Sequence, residues 1–221
     1  MRSHRLVGAA SAMLAFSLVA RADAGITTDR LSGRQARAWK RIVALALAVD
    51  PDGRPLHPTL HRLWQEVDCS GHVVQIEMPR SHGTSGIAGR FLIETVGPDG
   101  RFGTVIRLHL EQIDNVGTRP PNRQGISLTA LPKVGRYAQV LGHELAHAAW
   151  AFADPEHARL AMRLQSNAAL LARRARQDSA VGAGFAAELE ATDRLARRLE
   201  EPAVAAEVAV RRELQAGGRR R

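Results

Sequence analysis

Residues 136–153, RYAQVLGHELAHAAWAFA, are apolar nearly all the way round a helical wheel, yet they carry two histidines and a glutamate, His143, Glu144 and His147. A helix without a polar face is buried. Buried imidazoles beside a buried carboxylate need a partner, because an unpaired polar group in an apolar interior is costly. The helix stops at Asp154-Pro155, since proline donates no backbone bond and disfavours helix in the residue before it.

The rest of the chain supplies the layers around it. With 221 residues, 45% of them apolar, one sizeable core is affordable and two are not, which predicts a single domain over residues 25–215. Aromatics are only 4%, and the wealth of alanine, leucine and valine favours helices packed through small aliphatic contacts. Apolar residues at helical spacing predict amphipathic helices over 32–49 and 58–67, the first closed by Asp50-Pro51-Asp52-Gly53. The middle changes character. Runs rich in β-branched residues predict strands over 72–78, 88–96 and 104–113, with Gly97-Pro98-Asp99-Gly100 as the turn between the last two, which are therefore antiparallel. Residues 115–132 form a Gly/Pro/Asn-bearing loop that could hold a short strand at 126–128. Beyond the central helix, further helices are expected over 155–178, 185–200 and 202–215, broken at Gly182-Ala183-Gly184 and begun by Pro155 and Pro202. The expected class is α+β: a small antiparallel or mixed sheet, then the His-bearing helix, then a C-terminal helical lobe.

The first 24 residues read as an export signal. Arg2 and Arg5 give a positive start, 6–20 are apolar, and Ala22-Asp23-Ala24 fits the small-x-small rule for cleavage before Gly25. That apolar run is shorter than the ~20 residues a membrane helix needs, and no other segment is long enough, so the expected product is periplasmic or extracellular, with no stable membrane span after cleavage. Cys69 stands alone and can form no internal disulfide; without a placed base it reads as a small buried or turn residue. The net charge is +9, nearly all of it arginine, for Lys40 and Lys133 are the only lysines. No basic run is interleaved with aromatics to stack bases, which argues against a nucleic-acid partner. The charge reads as a solvated surface plus a frayed basic tail at 216–221.

On a helix, residues four apart are about 40° apart in azimuth and one turn apart in height, so His143 and His147 can hold one metal ion. Glu144 points about 100° away, too far to share the ion but able to reach a water bound to it. Two neutral imidazoles, a carboxylate base and an open coordination position are what metal-assisted hydrolysis requires. The competing reading is of core histidines bonded to carbonyls, with Glu144 in a buried pair.

The segment 137–147, YAQVLGHELAH, resembles the active-site helix of the zincin metallopeptidases, and strands preceding it match the order of their upper lobe. That resemblance implies Zn2+ held by His143 and His147, with Glu144 as the general base in hydrolysis of a peptide or protein substrate. The metzincin pattern would place glycine at position 150 and histidine at 153, where this chain has Trp150 and Ala153. The gluzincin pattern takes its third ligand from a glutamate on a separate helix, and Glu188, Glu190, Glu200, Glu201 and Glu207 are the candidates. Glu207 is favoured, because Ala203, Ala205, Ala206, Ala209 and Val210 surround it and a glutamate on an apolar face wants a buried positive partner; Glu190 comes next. Asp193 could orient a ligand histidine, though its spacing from Glu190 is one residue short of the gluzincin pattern. His157 could reach the site but reads first as a surface histidine, Tyr137 as packing, and His109 as the polar face of a strand. In zincins the strand nearest the site binds extended substrate, which makes 104–113 the candidate edge. Two other readings compete: a non-catalytic, metal-stabilised zincin-like scaffold of the cell envelope, and an envelope protein that binds anionic polymers through its arginines.

Overall fold

The computed structural model describes residues 25–80, 88–115, 131–177 and 183–218. The expected export segment and the strand at 126–128 lie outside them. The described elements are β1 (Gly25–Thr27), α1 (Gly33–Ala46), α2 (Pro58–Asp68), β2 (Val73–Glu77), β3 (Gly89–Val96), β4 (Phe102–Leu108), α3 (Leu110–Asn115), α4 (Lys133–Ala153), α5 (Pro155–Gln177) and α6 (Ala183–Gly218). The class is mixed α+β, with a small mixed sheet and helices.

Four strands lie in the order β1-β2-β4-β3. β1, β2 and β4 run parallel, and β3 turns back against β4 with Gly89 opposite Leu108 and Phe91 opposite Ile106. The hairpin turn falls where its sequence places it. Gly97 N–H donates to the Arg101 carbonyl at 2.7 Å, and Gly100 takes φ +77°, a left-handed conformation that glycine adopts without strain. β1 has no counterpart in the expected strands, since three residues are too few to show a period.

Two strand expectations are corrected. The run 104–113 ends as strand at Leu108, and Leu110–Asn115 is helical. Leu110 and Ile113, three apart, are both buried, a helical spacing that alternation over the preceding residues masks. That strand is also interior to the sheet, between β2 and β3, so the edge facing the His-bearing helix is β3.

α4 is the axis of the molecule and touches α1, α2, α3, α5, α6, β3 and β4. Its surroundings follow from its sequence: Leu141, Leu145, Ala146, Ala148 and Ala151 are fully buried, which needs neighbours on every side. Trp39 and Ile42 of α1, and Leu60, Leu63, Trp64 and Val67 of α2, join the same core, the two tryptophans with ring centroids 5.5 Å apart.

The C-terminal part is one helix where two were expected. α6 runs through Pro202, which can give no bond to the carbonyl four residues back. Leu199, Ala203, Val210 and Leu214, on both sides of the proline, are buried, and α6 packs along α4, so tertiary packing offsets the lost hydrogen bond. The helix also continues into the expected tail, because Gly217 lies against the His57 ring; a Cβ there would come within 3.1 Å of His57 Cε1. No helix among the described residues is long and apolar enough to cross a membrane.

Candidate metal centre

α4 and α6 bring together a compact group of ionisable side chains. Nε2 of His143 and Nε2 of His147 are 3.2 Å apart, one turn from each other on α4. Glu200 of α6 faces both rings, with Oε2 3.2 Å from His143 Nε2 and Oε1 3.5 Å from His147 Nε2. These three residues could hold a metal ion. The spacings suit one, because ligand atoms about 2.0–2.1 Å from a tetrahedral ion are about 3.3 Å from one another. Two imidazole nitrogens facing each other at this range also cannot both carry a proton without repulsion. Two histidine nitrogens with a carboxylate oxygen match the donor set that zinc takes.

Glu207 lies elsewhere than a third-ligand assignment requires. Its Oε2 meets Nδ1 of His143 at 3.1 Å, on the far side of the ring from His147, and its Oε1 accepts from Gln139 Nε2 at 2.8 Å. Glu207 and Gln139 are buried, so the carboxylate fixes the ring's orientation and tautomer. Glu190 is exposed and paired with Arg194, and Asp193 pairs with Arg197; Glu188 and Glu201 are exposed. Of the five glutamates, Glu200 is the one brought to the facing nitrogens.

Glu144, the next residue on α4, is buried and feels the charges of the same group. Burial pushes its pKa up, against the pull of the neighbouring His143 and His147. For His143, burial acts downward, but the Glu200 and Glu207 carboxylates and the charge of Glu144 outweigh it and push the ring up to about 10. Glu200 is the mirror case: burial would raise it, but hydrogen bonds from His143 and His147 hold it well below the usual carboxylate range. Three carboxylates around two imidazoles leave a deficit of positive charge, which a proton on His143 meets in part and a divalent ion would meet more fully.

β3 forms the wall opposite. Its inner face presents Gly89, Phe91 and Ile93 at the strand period of two. The Phe91 ring lies nearly parallel to that of His147 at a centroid distance of 6.5 Å. Gly89 leaves room for Glu144: a Cβ there would collide with Glu144 Oε1 and lie 2.6 Å from Val140 Cγ1. Gln165 of α5 reaches the same strand and, with its amide turned to satisfy both ends, donates to Ile93 O at 3.3 Å and accepts from Ile93 N at 3.2 Å.

The remaining expectations resolve simply. Tyr137 is buried and its hydroxyl donates to Asp114 Oδ1 at 2.8 Å, a packing role that also ties α4 to α3. His157 stands edge-on to Trp150 at 5.9 Å; burial lowers its pKa first, and the proximity of His147 lowers it further. His109 lies between β4 and α3, with its pKa lowered by burial and by Arg107 and Arg90. Cys69 caps the C-terminus of α2 and is exposed. Comparison with protein-family models, with curated proteins and with solved structures gives no match.

Proposed function

We propose that this chain is an exported zinc-dependent peptidase of the zincin type, closest in its ligand pattern to gluzincins. The observation that carries the reading is the convergence of His143 Nε2, His147 Nε2 and a Glu200 oxygen at 3.2–3.5 Å, with Glu144 buried on the same helix. Its support from sequence is the His-Glu-Leu-Ala-His run and the signal-like segment before Gly25. Zn2+ is the favoured ion because two imidazoles with one carboxylate is a zinc donor set that keeps a fourth position open.

In this reading His143, His147 and Glu200 would hold the ion. When bound, it would supply Lewis acidity, making water in its open position acidic enough to ionise near neutral pH and polarising a carbonyl. The chain's own groups do the rest. Glu144, whose buried carboxyl favours the protonated form more than a solvated one does, takes the proton of the attacking water and delivers it to the leaving amine. Glu207 holds the His143 ring in place, and Gln139 holds Glu207. β3 would align an extended peptide by backbone pairing, on the stretch of its edge not taken by Gln165.

The test is metal content and turnover on the secreted protein. One zinc per chain, cleavage of an unstructured protein such as casein, and loss of that cleavage with o-phenanthroline are expected. Glu144→Gln should keep the zinc and lose about 10²–10⁴-fold in rate. Zinc retained in a wild-type chain that cleaves no peptide would turn the reading to a metal-stabilised scaffold.

A further inference from the structure

A second group of charged side chains lies at the other end of α4, around a cleft the metal centre does not use. A cavity of about 140 Å³ is lined by Arg34, Arg37 and Arg41 of α1, Lys133 and Tyr137 of α4, and the apolar Ala38, Leu110 and Val134. The three arginines recur at i, i+3 and i+7, so one face of α1 turns them all the same way.

Charge balance in the cleft is one-sided. Asp114 is the acid on its rim, and it is already engaged by Lys133 and by the Tyr137 hydroxyl at 2.8 Å, with Arg34 at 3.5 Å and Arg136 at 3.7 Å. Arg37 and Arg41 have no acidic partner among the described residues. The first turn of α4 adds to the field. Its N-cap is Pro132, which offers no side-chain acceptor, so the backbone N–H groups of Lys133 and Val134 sit at the positive end of a 21-residue helix without a side-chain cap. The guanidinium groups of Arg37 and Arg41, beside one small cavity at a helix N-terminus, form an oxyanion receptor.

We propose that this cleft binds a phosphate group, carried either by a free phosphate or by a lipid headgroup. A phosphate suits it better than a carboxylate, for it brings up to two negative charges against the cationic excess and oxygens pointing to both helices. Ala38, Leu110 and Val134 are aliphatic, and the Tyr137 ring on the same lining is buried with its hydroxyl held by Asp114, so no open aromatic face is offered to a base and the phosphate itself is what is recognised.

The experiment uses the full secreted chain with its metal bound, at low ionic strength. Calorimetric titration with inorganic phosphate should show one saturable site, and the Arg37→Gln/Arg41→Gln double variant should bind at least tenfold more weakly. Both arginines are exposed, so the variant should melt as the parent does; Arg194→Gln/Arg197→Gln, which removes arginines already paired on α6, should leave the affinity unchanged. Vesicles of phosphatidylglycerol in phosphatidylcholine separate the sources. Vesicle binding that depends on the same two arginines and exceeds that of the free ion assigns a headgroup, and saturable phosphate binding without vesicle binding assigns the free ion. Absence of both overturns the proposal, as does phosphate binding that survives the double variant and is lost with His147→Ala, which would place the anion at the metal group.

Discussion

Oε2 of Glu207 meets Nδ1 of His143 at 3.1 Å, so the imidazole is gripped from behind, on the nitrogen that does not face His147. Glu200 takes the opposite side of that ring. The two glutamates of α6 therefore have separable roles, one facing the space between the histidines and one setting the angle of a histidine.

That separation predicts different metal phenotypes. Glu200→Ala should abolish stoichiometric zinc, whereas Glu207→Gln should weaken it by about 10–100-fold, the usual cost of losing a carboxylate behind a ligand histidine. Competition against a chromogenic chelator measures both. The reverse pattern, zinc lost with Glu207→Gln and kept with Glu200→Ala, would return the ligand role to Glu207.

The protonation of His143 predicts how the metal-free protein responds to pH. Its folded pKa, about 10, lies above the ordinary 6.5, so the stability it brings is fully present below pH 6.5 and is lost as pH rises through about 10. Glu200 is shifted down from 4.5, so its share is present above that value and is lost as pH falls further. Glu144, shifted up from 4.5, opposes folding progressively as it ionises above that point. Chelator-treated protein should thus lose urea resistance steadily above pH 6.5, and His143→Gln should flatten the decline. Because an ion must displace the proton on His143, zinc affinity should rise with pH, with about one proton released per ion near neutrality. Calorimetry in buffers of different ionisation enthalpy counts that proton, and a pH-independent affinity would refute the coupling.

The approach of α6 to α4 depends on Gly142. A Cβ there would come 3.0 Å from Val210 Cγ2, and a glycine inside a helix costs about 1 kcal/mol relative to alanine, so the close contact is what the residue supplies. Gly142→Leu should destabilise the fold by about 1–3 kcal/mol through overpacking. Since Glu200 and Glu207 both ride on α6, it should also lower zinc affinity more than tenfold. Denaturant titration of the chelated protein separates the two effects, and unchanged zinc binding in a destabilised variant would show that α6 can yield without moving its glutamates.

How much of this was legible beforehand depends on what each signal encodes. His143, Glu144 and His147 lie on one uninterrupted helix, so their spacing alone fixes their relative azimuths, and the two imidazole nitrogens meet at 3.2 Å as residues one turn apart can. Glu200 and Glu207 are seven apart, about 20° short of two full turns, and so share a face of any continuous helix. Pro202 between them suggests two helices with unrelated phases, and that break concealed the pairing. The stripe Leu199, Ala203, Val210 and Leu214 is the pattern that could have overridden the proline, because it keeps its phase across it. Strand positions in the sheet were illegible for a different reason: alternation in 104–108 reveals a strand but not its neighbours, and β1, which makes β2 interior, is too short to announce itself. Gly89 gave no signal at all, since a glycine opening a strand looks like a boundary until the facing helix is known.

That glycine yields the most selective prediction about Glu144. β3 lies against α4 so closely that a methyl at position 89 would fall on Glu144 Oε1 and within 2.6 Å of Val140 Cγ1. The three atoms nearest to such a methyl belong to Glu144 and Val140, and none belongs to His143, His147 or Glu200. Gly89→Ala should therefore keep the zinc, lose about 1–3 kcal/mol of stability from overpacking, and lose most peptidase turnover as the carboxylate is displaced. Arg90→Ala, at the exposed neighbouring position, controls for a general effect on the strand. The double variant Gly89→Ala/Val140→Ala relieves the contact with Val140 while keeping the one with Glu144. Turnover that stays low in the double variant, with zinc still bound, ties the loss to the carboxylate; turnover restored by Val140→Ala would show that the strand was merely wedged away from the helix and that Glu144 had kept its place.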